Sequence, residues 1–348
     1  NITSQITLSF YNNNLPFVTT LAPNISGSTS LNLDFVLQNY VSTTVNYFSG
    51  TTINNIVTNN LLEFSVGIIT YSGSTVINTY TNASPFYALN AVIQGNDNFN
   101  ILNYILNGST AGLFLDKYQY QRNVTLTSNA YVSVLTGTYT INGNAYTSAW
   151  KGLKVTAYYN NNTNSSYSQT GVNITNNEIV QINVSPYAIN AASPNLINSN
   201  TVYYTIQDTA GYSQVLTFNL IQETKVKNPW NILYVNSLGC TQHVDFTKSS
   251  EKNLAITRNT FINNSTQKIY SQDIDFTITV ASDWMTEAQS LGLQDLWNSP
   301  AIMVFNQGYG YTAIISSDKV TVMNRFQTKF ITYEIEFEPA LTYRSLKI

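Results

Sequence analysis

Apolar and polar residues alternate with a period of two through much of the chain up to about residue 220, the signature of strands that bury one face. Ile6-Thr7-Leu8-Ser9-Phe10 alternates cleanly, Leu31-Asn32-Leu33-Asp34-Phe35 repeats the pattern, and Val202-Tyr203-Tyr204-Thr205-Ile206 does so again. Asn-Gly turn signals fall at Asn107-Gly108 and Asn142-Gly143. The second lies between Tyr139-Thr140-Ile141 and Ala145-Tyr146 and predicts a hairpin, because both turn residues tolerate positive φ. Asp208-Thr209-Ala210-Gly211-Tyr212 joins two strand-like runs and predicts a plain hairpin turn rather than a tyrosine corner. The polar run from Asn160 to Ser166 predicts an exposed loop tip.

The last third reads differently. Ile274, Phe276, Ile278 and Val280 alternate with Asp273, Asp275, Thr277 and Thr279, as a half-buried strand would. One helix is predicted from Glu287 to Trp297. Thr286 supplies its N-cap, Gln289 completes a capping box, and Ser299-Pro300 stops it. Strands follow at Ile302 to Phe305, Thr312 to Ile315, Val320 to Met323 and Phe330 to Phe337. The predicted fold is therefore mainly β: two N-terminal β-sandwich-like domains, then an α+β domain with a sheet and one helix. Residues 1–130 form the first β-domain, 131–224 an immunoglobulin-like β-sandwich, and 225–348 the C-terminal domain.

That last boundary rests on charge. Residues 1–223 hold 11 of the 33 Asp, Glu, Lys and Arg side chains and residues 224–348 hold 22. The change comes at Glu223-Thr224-Lys225, just before Asn228-Pro229-Trp230, where Pro229 suits a linker. Over the whole chain charged residues make up only 9%, against roughly 25% in an average soluble domain. Asn, Thr, Ser and Tyr replace them, and Asn alone is about one residue in seven. Neutral polar surfaces hydrate well but repel one another weakly, which favours ordered assembly. The net charge of −3 and the lack of a Lys/Arg-rich run argue against sequence-specific nucleic-acid binding and against an anionic membrane. DNA sliding passively through a neutral lumen is compatible with both. No apolar run approaches the roughly 20 residues of a membrane span, and no secretory leader is visible at Asn1-Ile2-Thr3.

Few residues invite chemistry. The only cysteine, Cys240, and the only histidine, His243, are three apart. Strand positions i and i+3 face opposite ways, so a nucleophilic pair would need a bend. A buried thiol and a hydrogen-bonded histidine are the plainer account. Asp273 and Asp275 line one predicted strand face, and Glu334, Glu336 and Glu338 line another. On adjacent strands they could hold Ca²⁺ or act as an acid/base pair. They could equally pair with Lys268, Lys319, Arg325 and Lys329, or contact a basic patch on a neighbouring subunit. Tyr158-Tyr159, beside the Asn-rich run, is a candidate patch for a sugar or a protein partner. No phosphate loop, dinucleotide fingerprint, nucleophile elbow or metalloprotease motif is present. No catalytic residue, metal or cofactor is expected.

Residues 228–340 resemble tail proteins of phages that infect Bacteroidetes, including crAss-like phages. The resemblance lies in Trp284-Met285-Thr286-Glu287, in Leu296-Trp297-Asn298-Ser299-Pro300-Ala301-Ile302-Met303-Val304, and in Tyr333-Glu334-Ile335-Glu336-Phe337-Glu338. The stretch from Trp230 to Gly239 fits the aromatic-Asn-x-x-Gly opening of that pattern, while Cys240 and Met285 stand where it has a small residue and Leu. The resemblance implies a non-enzymatic virion component, a tail hub, ring or adaptor subunit that assembles with like subunits and with neighbouring tail proteins. A secreted or surface β-rich adhesin with a carbohydrate-binding face is the alternative, and a glycan-degrading enzyme using paired acids is a more distant one.

Overall fold

The computed structural model describes residues 2–340 apart from 11–12, 25–27, 42–43, 49, 58–59, 83–84, 90, 92–99, 117–120, 223–228, 264–265, 307, 317–320 and 326–329. The chain is mainly β, with 54% of residues in strands and 10% in helix. The charge boundary at Glu223-Thr224-Lys225 lies outside the described residues.

Among the described residues, four sheets account for the strands. The first has β1 (Ile2–Phe10), β2 (Asn13–Leu21), β4 (Leu61–Ser72) and β5 (Thr75–Thr81) in the order β2-β1-β4-β5, and β6 (Phe86–Leu89) also pairs with β4. The second runs β11-β10-β13-β14-β7, using β7 (Arg122–Val124), β10 (Leu153–Tyr159), β11 (Asn164–Ser168), β13 (Thr201–Asp208) and β14 (Leu216–Leu220). The third runs β3-β12-β8-β9, using β3 (Asn54–Val57), β8 (Tyr131–Ile141), β9 (Asn144–Ser148) and β12 (Glu178–Asn183). Thus β3 and β7, both before residue 130, complete sheets whose other strands come later in the chain.

The second and third sheets face each other around Trp150, Tyr204, Phe218, Val132, Val180 and Ile206, forming a sandwich with an apolar core. Strand β8 is buried on both sides from Tyr131 to Gly137. Its Val132 and Val134 enter that core, while Leu135 and Tyr139 pack behind it with Val57, Leu61, Leu115, Leu238 and Cys240.

The fourth sheet contains β15 (Trp230–Val235), β16 (Thr241–Phe246), β17 (Ser249–Asn263), β18 (Thr266–Ala281), β19 (Ile302–Asn306), β20 (Tyr309–Ile315), β21 (Thr321–Arg325) and β22 (Phe330–Pro339). Their order is β16-β15-β19-β20-β22-β18-β17, with β21 also on β22. Helix α3 (Glu287–Trp297) covers it, sharing a core with Ile232, Tyr234, Ile278, Val280, Val304, Ile335 and Phe337 through Leu293 and Leu296. The helix starts where the sequence places it. Thr286 Oγ1 accepts from the Gln289 amide at 3.3 Å, and the Gln289 side chain accepts from the Thr286 amide at 2.9 Å. The Asn142-Gly143 hairpin also forms, with both residues at positive φ (51° and 80°) between β8 and β9.

Two local expectations are overturned. Leu31 to Phe35 are expected as strand, but Leu33–Leu37 form helix α1, and Pro186–Ala192 adds a second short helix, α2. Five alternating residues also fit a helical turn, and the Asn32 side chain decides it by accepting from the Asp34 amide at 3.0 Å. Val36 and Leu37 then point into the core of the first sheet. The Asn160 to Ser166 loop is shorter than expected. Asn164 to Ser166 lie in edge strand β11 opposite Thr156–Tyr158, and Asn162 makes the turn at a φ of 62°. Serine and threonine on a solvated edge satisfy their own hydroxyls, so polarity alone does not exclude a strand there.

Thr286→Ala removes one half of the capping box. It is expected to cost about 1 kcal/mol, read as a lower urea midpoint with an unchanged slope.

Candidate functional site

The polar groups buried together lie where β16 meets β7 and β8. Along β16, Gln242, Val244 and Phe246 face one way, while Thr241, His243 and Asp245 face the sandwich. Asp245 is buried and accepts from the Thr125 amide at 3.0 Å, from Asn231 Nδ2 at 2.7 Å and from the Ser128 hydroxyl. Asn231 Nδ2 also donates to the Asn129 carbonyl at 3.1 Å, and Asn129 donates back to Asn231 Oδ1 through both its nitrogens at 3.2 Å. Arg122 and Asp116 form a buried ion pair, and Arg122 donates to the Tyr131 carbonyl at 3.3 Å. Further along, Asn236 Nδ2 reaches the Leu115 carbonyl and Asn60 Nδ2 the Gly239 carbonyl, each at 2.9 Å. These bonds join the last third of the chain to the rest with side-chain amides far more than with ions.

Electrostatics follow from burial. Burial pushes the Asp245 carboxyl up to about 6, against the lowering effect of its bonds from Ser128, Asn231 and Thr125. Burial, and then the positive charge of Arg122, hold His243 well below the usual imidazole range. Its ring stacks on Phe218 at 5.9 Å, and neither nitrogen has a hydrogen-bond partner among the described residues. The histidine is therefore buried, but among the described residues it is not hydrogen-bonded as expected. A pocket of about 20 Å³ lined by Gln121, Arg122, His243, Asp245, Asp283 and Gln289 adjoins it, a volume that fits about one water.

Cys240 faces elsewhere. Its sulfur donates to the Leu238 carbonyl at 3.7 Å, and burial pushes the thiol up to about 12. At neutral pH it is neither a thiolate nor in reach of His243, so the two do not form a nucleophile pair.

The strands that carry the predicted carboxylates, β18 and β22, are neighbours in the fourth sheet. Glu334 and Glu336 on β22 lie opposite Ala281 and Thr279 of β18, and Glu338 opposite Ile314 of β20. Positions Asp273 and Asp275 lie further along β18, beyond its Ile278–Ala281 pairing with β22, opposite Thr257 and Ala255 of β17. The side chains of Asp273, Asp275, Lys268 and Arg325, and the residues Lys319 and Lys329, lie outside the description. Among the described residues, no group of three His, Cys, Asp or Glu side chains could hold a metal ion.

Tyr158 and Tyr159 point to opposite faces. Tyr159 packs on the sandwich core and donates to the Leu196 carbonyl at 2.8 Å. Tyr158 stands on the outer face and stacks on Tyr203 of β13 at 4.5 Å and 16°. Each ring thus gives one face to the other, leaving less of the flat surface on which a sugar would lie. The buried Asn129–Asn231–Asp245 lattice escapes sequence reasoning, because its members come from separate stretches of chain that meet only in the tertiary structure.

No protein-family model matches the chain, and no curated protein matches it.

Two outcomes test this seam. His243→Phe keeps the stack on Phe218 and removes an imidazole that protonates only in the unfolded chain as pH falls below its ordinary value. Wild type therefore loses stability as pH drops from 7 to 5, and the melting-temperature advantage of His243→Phe should widen over that range. Asp245 acts in the opposite sense, its raised pKa adding stability as pH falls through about 6, and it is common to both proteins. Separately, Arg122→Met breaks the buried Arg122–Asp116 ion pair and should cost about 3–5 kcal/mol, while Arg122→Met with Asp116→Leu should cost much less, both read by urea unfolding.

Proposed function

We propose that the chain is a non-enzymatic structural subunit of a phage virion, a tail hub, ring or adaptor component that assembles with like subunits and with neighbouring tail proteins. The observation that carries this reading is the β17–β18 hairpin. These strands have 15 and 16 residues and pair along their whole described length. Among the described residues, only Ile278–Ala281 of β18 pair with β22, and Thr266 to Thr277 pair with β17 alone. Twelve residues of strand reach about 40 Å.

The arm carries exposed Leu254, Ile256 and Ile262. A two-stranded ribbon is marginal on its own in water, and one that exposes apolar side chains invites a neighbour. Low charge and the resemblance of residues 228–340 to phage tail proteins support the same reading. Copies that meet through such arms need no catalytic group, and their neutral surfaces could line a lumen through which DNA passes.

Electron microscopy of the purified chain, with its mass measured across a concentration series, tests the proposal. Mass should rise with concentration toward closed rings. A strict monomer at every concentration would overturn it.

A further inference from the structure

Building on the assembly reading above, we propose that the partner of the β17–β18 arm is the N-terminal sheet of a second copy of this chain, met head to tail. The donor face is continuous with a core. Through the pairing Lys252↔Ile278 and Leu254↔Phe276, the even-numbered positions of β17 share the face of the buried Ile278 and Val280. Beyond the body that face continues as Leu254, Ile256 and Ile262, exposed to 58%, 42% and 80%. Among the described residues, the interior face of the C-terminal sheet thus continues into exposed apolar positions of β17.

The acceptor lies at the other end of the chain. Phe17 of β2 and Leu31, Phe35, Val36 and Tyr40 around α1 line an open groove of about 670 Å³, within the ~300–1,000 Å³ range of pockets that enclose a sizeable apolar ligand. Phe35 is 75% exposed on its rim.

Charge selects this occupant over an unrelated one. Residues 1–116 contain no Lys or Arg, and their charges are Asp34, Glu63, Asp97 and Asp116. The donor face of the arm carries cations, Lys252 and Arg258, with Lys252 Nζ 4.1 Å above the Phe276 ring. An apolar face flanked by cations and an apolar groove beside Asp34 are complementary, whereas two arms or two grooves would bring like charges together. Donor and acceptor on different surfaces make the contact heterologous, so repetition closes a ring or extends a filament.

Complementation between two full-length variants tests this. Leu254→Asp with Ile262→Asp disables the donor, and Phe35→Asp disables the acceptor. All three positions are exposed, and an unchanged circular-dichroism spectrum and melting temperature verify folding. Should Phe35→Asp melt α1, Phe35→Ser reads the same contact. In sedimentation velocity, each variant alone should associate roughly tenfold more weakly than wild type or worse. The mixture should form a one-to-one dimer and stop there, because only one arm and one groove remain competent. Association of the donor variant like wild type, association of the acceptor variant like wild type, or no dimer in the mixture overturns the proposal while leaving assembly intact. A monomeric wild type overturns both.

Discussion

Burial of β8 on both faces is the constraint on which the rest of the molecule depends. A strand with one solvated face can be satisfied by one layer of partners. Here Tyr131 to Gly137 have no solvated face. One set of side chains closes the sandwich, and the other must be covered by something outside it. That cover comes from both directions along the chain: Val57 and Leu61 from before β8, Leu238 and Cys240 from after it. Tyr131 meets Leu233 and Phe305 in the same way. The sandwich and the C-terminal sheet are therefore parts of one packed body rather than beads on a linker.

The composition is suited to such a body. A layer of contacts between sheets must accommodate backbone groups that no ladder serves, and ions there are costly to desolvate. Asparagine offers a donor and an acceptor at a fixed spacing with no net charge. Asn60, Asn231 and Asn236 each use this to reach a backbone carbonyl on another stretch of chain, and Asn129 reaches the side chain of Asn231. The same neutrality on the outside leaves little electrostatic repulsion to keep copies apart.

Much of the fold was legible in the sequence because its signals are local. The Thr286–Gln289 capping box, the Asn142-Gly143 turn and the alternation of β1, β13, β18 and β22 are decided by residues a few positions apart. Helix α1 was missed because five alternating residues serve either period, and the Asn32 cap was the tie-breaker. The seam was missed for a deeper reason. Polar parity on β16 has one appearance in sequence and two physical causes, solvent or a second layer of polar partners, and only tertiary structure separates them. Sheet membership of β3 and β7 is likewise non-local, since four residues and three residues say nothing about which distant strands they will join.

That non-local membership has a consequence for how the chain reaches this state. β7 pairs in parallel with β14, and β3 pairs with β12, across gaps of some ninety to more than a hundred and twenty residues. During synthesis, with translation at about 5–20 residues per second, these two short strands emerge many seconds before their partners exist. The sandwich cannot close until Leu220 has left the ribosome, and the hydrophobic back of β8 stays open until Leu238 and Cys240 follow. The nascent chain thus passes through a long interval with its central strand formed in sequence but uncovered in space. Holding that interval short, or shielded, is a demand this architecture places on the cell that makes it.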